Sequence, residues 1–122
     1  MRFLVIDDKK SDVDTLQGYL QKSFPMATIH CCNRFYTGAQ CLQYDEYDAV
    51  FIDLNLPDNW GISTVKELKP YAKNVPIYVT TSIAHWVTVK EAIKAGAAAV
   101  EEKRNLSTDT ILNMVGQMTL VG

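Results

Sequence analysis

The stretch FLVIDD, residues 3–8, places four apolar residues directly before two aspartates. The stretch AVFID, residues 49–53, repeats this arrangement with a single aspartate. Short, uninterrupted apolar runs are typical of strands that helices cover on both faces, as in a parallel sheet. The two stretches therefore predict buried parallel strands, each followed by acidic residues.

Apolar, β-rich runs alternate along the chain with amphipathic stretches that are long enough for helices. The predicted strands are residues 3–6, 27–32, 49–52, 77–80 and 97–101. The predicted helices are residues 11–23, 34–44, 62–71, 86–95 and 107–118. This alternation predicts an α/β fold: a three-layer, doubly wound (βα)5 arrangement around a five-stranded parallel sheet.

Capping residues mark several of the predicted helix ends. Ser11 and Ser107 stand where N-cap side chains are expected, and Gly96 stands where a helix commonly ends. The last predicted helix is largely apolar. Its inward stripe is predicted to be Ile111, Met114, Val115 and Met118, with further apolar surface from Leu112, Leu120 and Val121.

The composition is that of an ordinary globular chain, and it argues against several functions. The 122 residues, 48% of them apolar and 21% charged, are predicted to form one domain, residues 1–122. Twelve Lys and Arg against fourteen Asp and Glu give a net charge of −2, which argues against direct nucleic-acid binding. No apolar run is long enough to span a membrane, and the N-terminal segment does not resemble a signal peptide. Three cysteines without a CxxC pair favour a cytoplasmic location.

Polar residues follow the predicted strands at a single edge of the predicted sheet. In doubly wound folds, ligands bind beyond the carboxyl ends of the strands. The residues expected there, in chain order, are Asp7, Asp8, Asp53, Thr80, Thr81, Ser82, Glu102 and Lys103. Any one of them is as well explained by helix capping or by contact with water, but their shared position at one edge predicts a site.

Carboxylates brought together at this edge repel one another. At a separation of ~4 Å and an effective dielectric constant of ~20, each pair costs about 4 kcal/mol. A hard divalent cation relieves that repulsion, and Mg²⁺ suits a site of one or two carboxylates, water and phosphate oxygens. Together with Lys103 and a threonine hydroxyl, the set predicts phosphoryl-transfer chemistry with an aspartate as nucleophile.

Four motifs occur in order along the chain: LVIDD at 4–8, DLNLP at 53–57 followed by Gly61, PIYVTT at 76–81, and Gly96-Ala97 ahead of Lys103. With these motifs the whole chain resembles the receiver domain of bacterial response regulators, of the chemotaxis-regulator type. The resemblance implies a flavodoxin-like strand order of 2-1-3-4-5 and a place in a two-component phosphorelay.

The resemblance also implies a role for each acidic residue. Asp53 would be the phosphoacceptor and a metal ligand. Asp8 would bind Mg²⁺ directly, Asp7 mostly through water, and Asn55 through its backbone carbonyl. The reaction would be self-phosphotransfer and autodephosphorylation only, so the protein is not expected to be an enzyme in the usual sense.

The same resemblance assigns a switch. Thr81, five residues after Pro76, would supply the switch hydroxyl, and the small Ser82 would leave access to the phosphoacceptor. Lys103 would pair with Asp53 and then with the phosphoryl oxygens. Phosphorylation would change the surface of helix 4, strand 5 and helix 5, through which a homodimer or an effector would bind. The expected phosphodonor is a histidine kinase or a histidine phosphotransfer protein.

Two departures from the family pattern support an alternative. Val100 stands where the family usually has an aromatic residue, and Arg104 stands where it has a proline after a cis peptide bond. We expect a trans bond before Arg104 and a reshaped loop, because a non-proline cis bond costs roughly 3–4 kcal/mol. The alternative is a pseudo-receiver, a phosphorylation-independent binding module with the same fold.

A third class is an unrelated enzyme or cofactor-binding protein of similar topology. A flavodoxin-type protein needs a Ser/Thr/Gly-rich phosphate loop after the first strand, where this chain has two acids. A dehalogenase-type phosphatase needs a second aspartate two residues after its nucleophile, where this chain has Asn55. Both observations disfavour this third class.

Overall fold

The predicted apolar runs form the strands of one parallel sheet in the computed structural model, which describes the backbone of residues 1–121 and the side chains of residues 1–116. The strands are β1 (Arg2–Ile6), β2 (Thr28–Cys32), β3 (Ala49–Asp53), β4 (Ile77–Thr81) and β5 (Ala99–Glu102). The helices are α1 (Lys10–Ser23), α2 (Phe35–Tyr44), α3 (Ser63–Ala72), α4 (Trp86–Ala95) and α5 (Thr108–Val121). A short 3₁₀ turn over Lys103–Asn105 joins β5 to α5.

The sheet has the order β2-β1-β3-β4-β5, with every neighbouring pair parallel. The predicted doubly wound fold and its flavodoxin-like order are therefore confirmed. β3 and β4 each extend one residue further than predicted, because Asp53 pairs with Thr80 and Thr81 pairs with Glu102. The backbones of Asp53 and Thr81 are therefore part of the parallel sheet and are not in the loops that follow it.

Alternate side chains of each strand pack on opposite faces of the sheet. Leu4 and Ile6 face the layer of α2, α3 and α4, which contributes Leu42, Leu68 and Ala92. Phe3 and Val5 face the layer of α1 and α5, which contributes the second set, Leu16, Leu20, Ile111 and Val115. Covering both faces leaves the carboxyl edge of the sheet as the place where polar side chains meet.

The predicted helix caps agree with the structure at two of three positions. Ser107 caps α5, since its hydroxyl oxygen accepts the Thr110 amide at 3.2 Å, and Gly96 ends α4 with a φ of 122°. The Ser11 cap was wrong: α1 begins at Lys10, and its N-cap residue, Lys9, donates its amide to Asp7 Oδ1 at 3.0 Å.

The final helix buries part of its predicted stripe. Ile111 and Val115 are buried, and Met114 packs against the same cluster, while Leu112 is exposed. Met118, Leu120 and Val121 lie outside the described side chains. Within residues 1–121, none of the helices has the length and apolar character needed to cross a lipid bilayer.

Candidate functional site

The adjacent strands β1 and β3 end in buried aspartates. Asp7 follows β1 directly and continues its ladder, because its amide donates to the Cys32 carbonyl at 3.0 Å. Asp53 is the last residue of β3. Only 4% of Asp7 and 6% of Asp53 is exposed to solvent. Since the two strands are neighbours in the sheet, their terminal carboxylates lie side by side.

Asp8 completes a group of three carboxylates. One carboxylate oxygen from each of Asp7, Asp8 and Asp53 lies within 4.8 Å of the other two. Asp8 is exposed, whereas its two partners are buried, so the group is open to solvent on one side. An all-oxygen donor set of this charge is what hard divalent cations prefer, and the residues present therefore fit such an ion.

Lys103 provides positive charge beside the three carboxylates. It begins the 3₁₀ turn after β5, and its ammonium nitrogen lies 2.9 Å from Asp7 Oδ2 and 3.5 Å from Asp53 Oδ1. Its shortest ion pair, 2.7 Å, is with Asp12 Oδ2 on α1. The described residues contain no cis peptide bond, as expected for Arg104. The turn after β5 nevertheless brings Lys103 to the carboxylates.

Burial dominates the electrostatics of Asp53. It raises the pKa of that carboxyl to about 6; the Lys103 ammonium acts to lower this pKa, while Asp7 and Asp8 act to raise it. Burial acts to lower the pKa of Lys103, but hydrogen bonds to Asp12 and Asp7 outweigh it and the net shift is upward. At neutral pH, the Asp53 carboxyl is thus mostly ionised and lies beside a protonated lysine.

The predicted switch residues lie at the end of β4. Thr81 is buried, and its hydroxyl donates a long hydrogen bond, 3.4 Å, to the Ile83 carbonyl. Ser82 follows it and is exposed. The strand register places Thr80, rather than Thr81, opposite Asp53. The phosphate-binding and switch roles of Thr81, Ser82 and Lys103 stay predictions.

The loop after β3 closes on itself. Asn55 forms an isolated antiparallel bridge with Trp60, and the Gly61 amide donates to the Leu54 carbonyl at 2.7 Å. Gly61 has a φ of 70°, a left-handed conformation that favours glycine. Asn55 is exposed two residues beyond Asp53, and metal binding by its backbone carbonyl stays a prediction.

Sequence reasoning missed Asp12, although a signal for it was available. Asp12 stands four residues before the buried Leu16, so both lie on the same face of α1. It is also in the first turn of a helix that starts at the carboxyl edge of the sheet. Those two facts together direct its carboxylate toward the site.

Two other carboxylates organise the loops around the site. Glu102 accepts the Ala84 amide at 2.8 Å and the Arg104 guanidinium at 2.6 Å, which ties the β4–α4 loop to β5. Asp58 accepts the amides of Phe35 and Tyr36 at 2.8 and 3.0 Å, which ties the β3–α3 loop to the start of α2. The amides that these two carboxylates accept are distant from them in sequence, so no local pattern indicates how either loop is tied.

The fold and the site together define a class: a flavodoxin-like α/β protein with an acidic, metal-compatible group beside a lysine at its carboxyl edge. The family model described as "Response regulator receiver domain" matches residues 3–115 of this chain. The chain therefore belongs to the response regulator receiver family.

Related sequences agree with this assignment. The chemotaxis protein CheY of Halobacterium salinarum is 30% identical over 97 residues, which cover 77% of this chain and 77% of that protein. The regulatory protein AtoC of Escherichia coli is 28% identical over 98 residues, 79% of this chain but 20% of its own length. The chain thus spans about a fifth of the AtoC relative that it matches.

Solved structures show the same fold. The signal receiver domain of a DNA-binding response regulator from Colwellia psychrerythraea has a TM-score of 0.86 at 23% identity, covering 98% of both chains. A response regulator from Burkholderia pseudomallei, solved with a phosphorylated aspartic acid, a calcium ion and citrate, has a TM-score of 0.81 at 21% identity. That match covers 98% of this chain and 71% of the other.

Proposed function

We propose that this receiver domain accepts a phosphoryl group on Asp53 from a phosphohistidine of a histidine kinase or a histidine phosphotransfer protein. The observation that carries the proposal is the setting of Asp53. Its buried carboxylate lies beside those of Asp7 and Asp8 and 3.5 Å from the Lys103 ammonium. A nucleophile, an oxygen donor set for a cation and a fixed positive charge are the parts that phosphoryl transfer needs.

The proposed step forms one bond and breaks one. A carboxylate oxygen of Asp53 attacks phosphorus, and the phosphorus–nitrogen bond of the phosphohistidine breaks with its electron pair leaving on the imidazole nitrogen. Lys103 donates hydrogen bonds to the phosphoryl oxygens of the resulting acyl phosphate. Mg²⁺, held by Asp7, Asp8, Asp53 and the Asn55 carbonyl, would neutralise charge on those oxygens.

The reaction is confined to the protein's own aspartate. Phosphorylation is self-phosphotransfer. Autodephosphorylation follows when water attacks the same phosphorus and the bond from phosphorus to the Asp53 oxygen breaks, which restores the carboxylate and releases inorganic phosphate, so the only residue modified is the protein's own. The phosphorylated aspartic acid in the Burkholderia pseudomallei neighbour supports this chemistry. The free thiols of Cys31, Cys32 and Cys41 agree with a reducing compartment, and the proposed location is the cytoplasm.

The proposed output is a change in the surface formed by α4, β5 and α5. Thr81, Ser82 and Lys103 would move toward the phosphoryl group, and the loop before α4 would move with them. This surface would then bind a second copy or an effector protein. The solution structure of a beryllofluoride-activated NtrC4 receiver domain dimer shows that a similar fold dimerises.

A pseudo-receiver is the second candidate, and one observation favours it. The residue of β5 at the position in question is Val100, which is partly buried against the hydrophobic core. Because valine is not aromatic, β5 has no aromatic side chain there that could follow the position of Thr81. In that case the domain would bind its partner through the same surface without phosphorylation.

Beryllofluoride binding followed by tryptophan fluorescence separates the two candidates. The chain has two tryptophans, and a Trp60→Phe variant leaves Trp86, which is 76% exposed at the start of α4. We expect beryllofluoride with Mg²⁺ to change Trp86 emission, and Asp53→Asn to abolish that change. If ¹⁹F NMR detects beryllofluoride bound at Asp53 but Trp86 emission does not change, phosphorylation with an unconventional output is favoured. No binding at all would favour the pseudo-receiver.

A further inference from the structure

The Lys103 ammonium is shared unequally among three carboxylates. Its nitrogen lies 2.7 Å from Asp12, 2.9 Å from Asp7 and 3.5 Å from Asp53. A lysine ammonium has three N–H donors and no acceptor. The contact with Asp12 is a short, charge-assisted hydrogen bond, the contact with Asp7 is a close ion pair, and the contact with the proposed phosphoacceptor is the longest.

Asp12 is the carboxylate that holds the ammonium on the α1 side. It lies in the first turn of α1, five residues after Asp7 in the sequence, and 26% of its side chain is exposed. Among the described residues, its ion pair is with Lys103 alone. Asp12 is not one of the three carboxylates that fit a cation.

We propose that Asp12 is a positioning residue: it draws the Lys103 ammonium toward α1 and so leaves the Asp53 carboxylate available to a divalent cation. The proposal rests on the proposed function, because it concerns the cation that would assist phosphorylation. Lys103 contacts two of the three carboxylates that fit a cation, Asp7 and Asp53, so the ammonium and a divalent cation compete for them. Without Asp12, the ammonium shifts toward Asp53, which then becomes its second close partner beside Asp7.

Mg²⁺ affinity measures this competition without any phosphorylation. Calorimetric titration of the full chain with MgCl₂ is carried out for the wild type, Asp12→Asn, Lys103→Met and the double variant. Supporting residues of a metal site typically change affinity by about 10-fold or more. We expect Asp12→Asn to bind Mg²⁺ about 10-fold more weakly, Lys103→Met to bind it more tightly, and the double variant to match Lys103→Met.

The double variant distinguishes positioning from simple loss of negative charge. If Asp12 acts only through its negative charge and not through Lys103, Asp12→Asn weakens Mg²⁺ binding equally in the wild-type chain and in Lys103→Met. That result would overturn the proposal. Asp14→Asn is the matched control, since Asp14 lies on the same helix and pairs with Lys10 at 3.4 Å. It is expected to leave Mg²⁺ affinity within about twofold of wild type. Asp12→Glu, which restores the charge, is expected to recover part of the affinity.

The outcomes also separate this proposal from the proposed function. A wild-type chain that binds Mg²⁺ and accepts a phosphoryl group, combined with an Asp12→Asn variant of unchanged Mg²⁺ affinity, would overturn the role of Asp12 alone. A wild-type chain that binds no Mg²⁺ would overturn both. Thermal unfolding of each variant in EDTA shows that it is folded before titration.

Discussion

At the residue scale, the raised pKa of Asp53 links the site to stability. This pKa is raised from 3.8 to about 6 in the folded protein, so the folded state binds more protons than the unfolded state between those two pH values. The free energy of unfolding therefore falls as pH rises through this window, and the full cost of the ionised carboxylate is present above about pH 6.

Asp53→Asn removes that cost. We expect the variant to raise the free energy of unfolding by about 1–3 kcal/mol at pH 8 in EDTA, with the gain shrinking as pH falls from 6 toward 4. Urea denaturation followed by circular dichroism measures both values. Asp14→Asn, at an exposed position, is expected to show no such pH-dependent gain. An Asp53→Asn variant less stable than wild type across this range would contradict the assignment.

The residues of the site differ in how far the sequence could predict them. Asp7, Asp8, Asp53 and Lys103 were predicted to meet because each follows a strand, and parallel strands end at the same edge. Asp12 was missed because it belongs to a helix, and its contact depends on how α1 packs on the sheet. The side-chain contacts of Thr81 depend on the loop that follows it, which strand periodicity does not describe.

At the element scale, the strands were predicted well because their apolar runs are continuous and bounded by polar residues. The ends of β3 and β4 were each predicted one residue too early. Backbone pairing continues through Asp53 and Thr81 although their side chains are polar. The start of α1 was misjudged for a related reason. The acceptor at that end of the helix is Asp7, a residue of the preceding strand end, rather than the local serine.

The β4–α4 loop gives an element-scale prediction. Glu102 holds this loop through the Ala84 amide at 2.8 Å. Glu102→Ala removes the acceptor, so we expect hydrogen exchange at the Ala84 amide to become severalfold faster. Glu101→Ala, at the neighbouring position of β5, is the matched control and is expected to leave that exchange rate unchanged. Equal exchange in both variants would show that the loop is held by other contacts.

At the scale of the whole molecule, alternation of strand and helix was sufficient to predict the layers of the fold. The strand order came from the resemblance to receiver domains, because periodicity alone does not say which strands are neighbours. The order matters for function: it places β1 and β3 side by side and so brings Asp7, Asp8 and Asp53 within 4.8 Å of one another. The central claim is that this arrangement makes Asp53 a phosphoacceptor.

Intact mass spectrometry tests that claim most directly. The full chain is incubated with acetyl phosphate and Mg²⁺, alongside Asp53→Asn and a sample with excess chelator. We predict one phosphoryl adduct on the wild-type chain, and none with the variant or the chelator. A folded, Mg²⁺-saturated wild-type chain that forms no adduct, or an Asp53→Asn variant that forms the same adduct, would contradict the account.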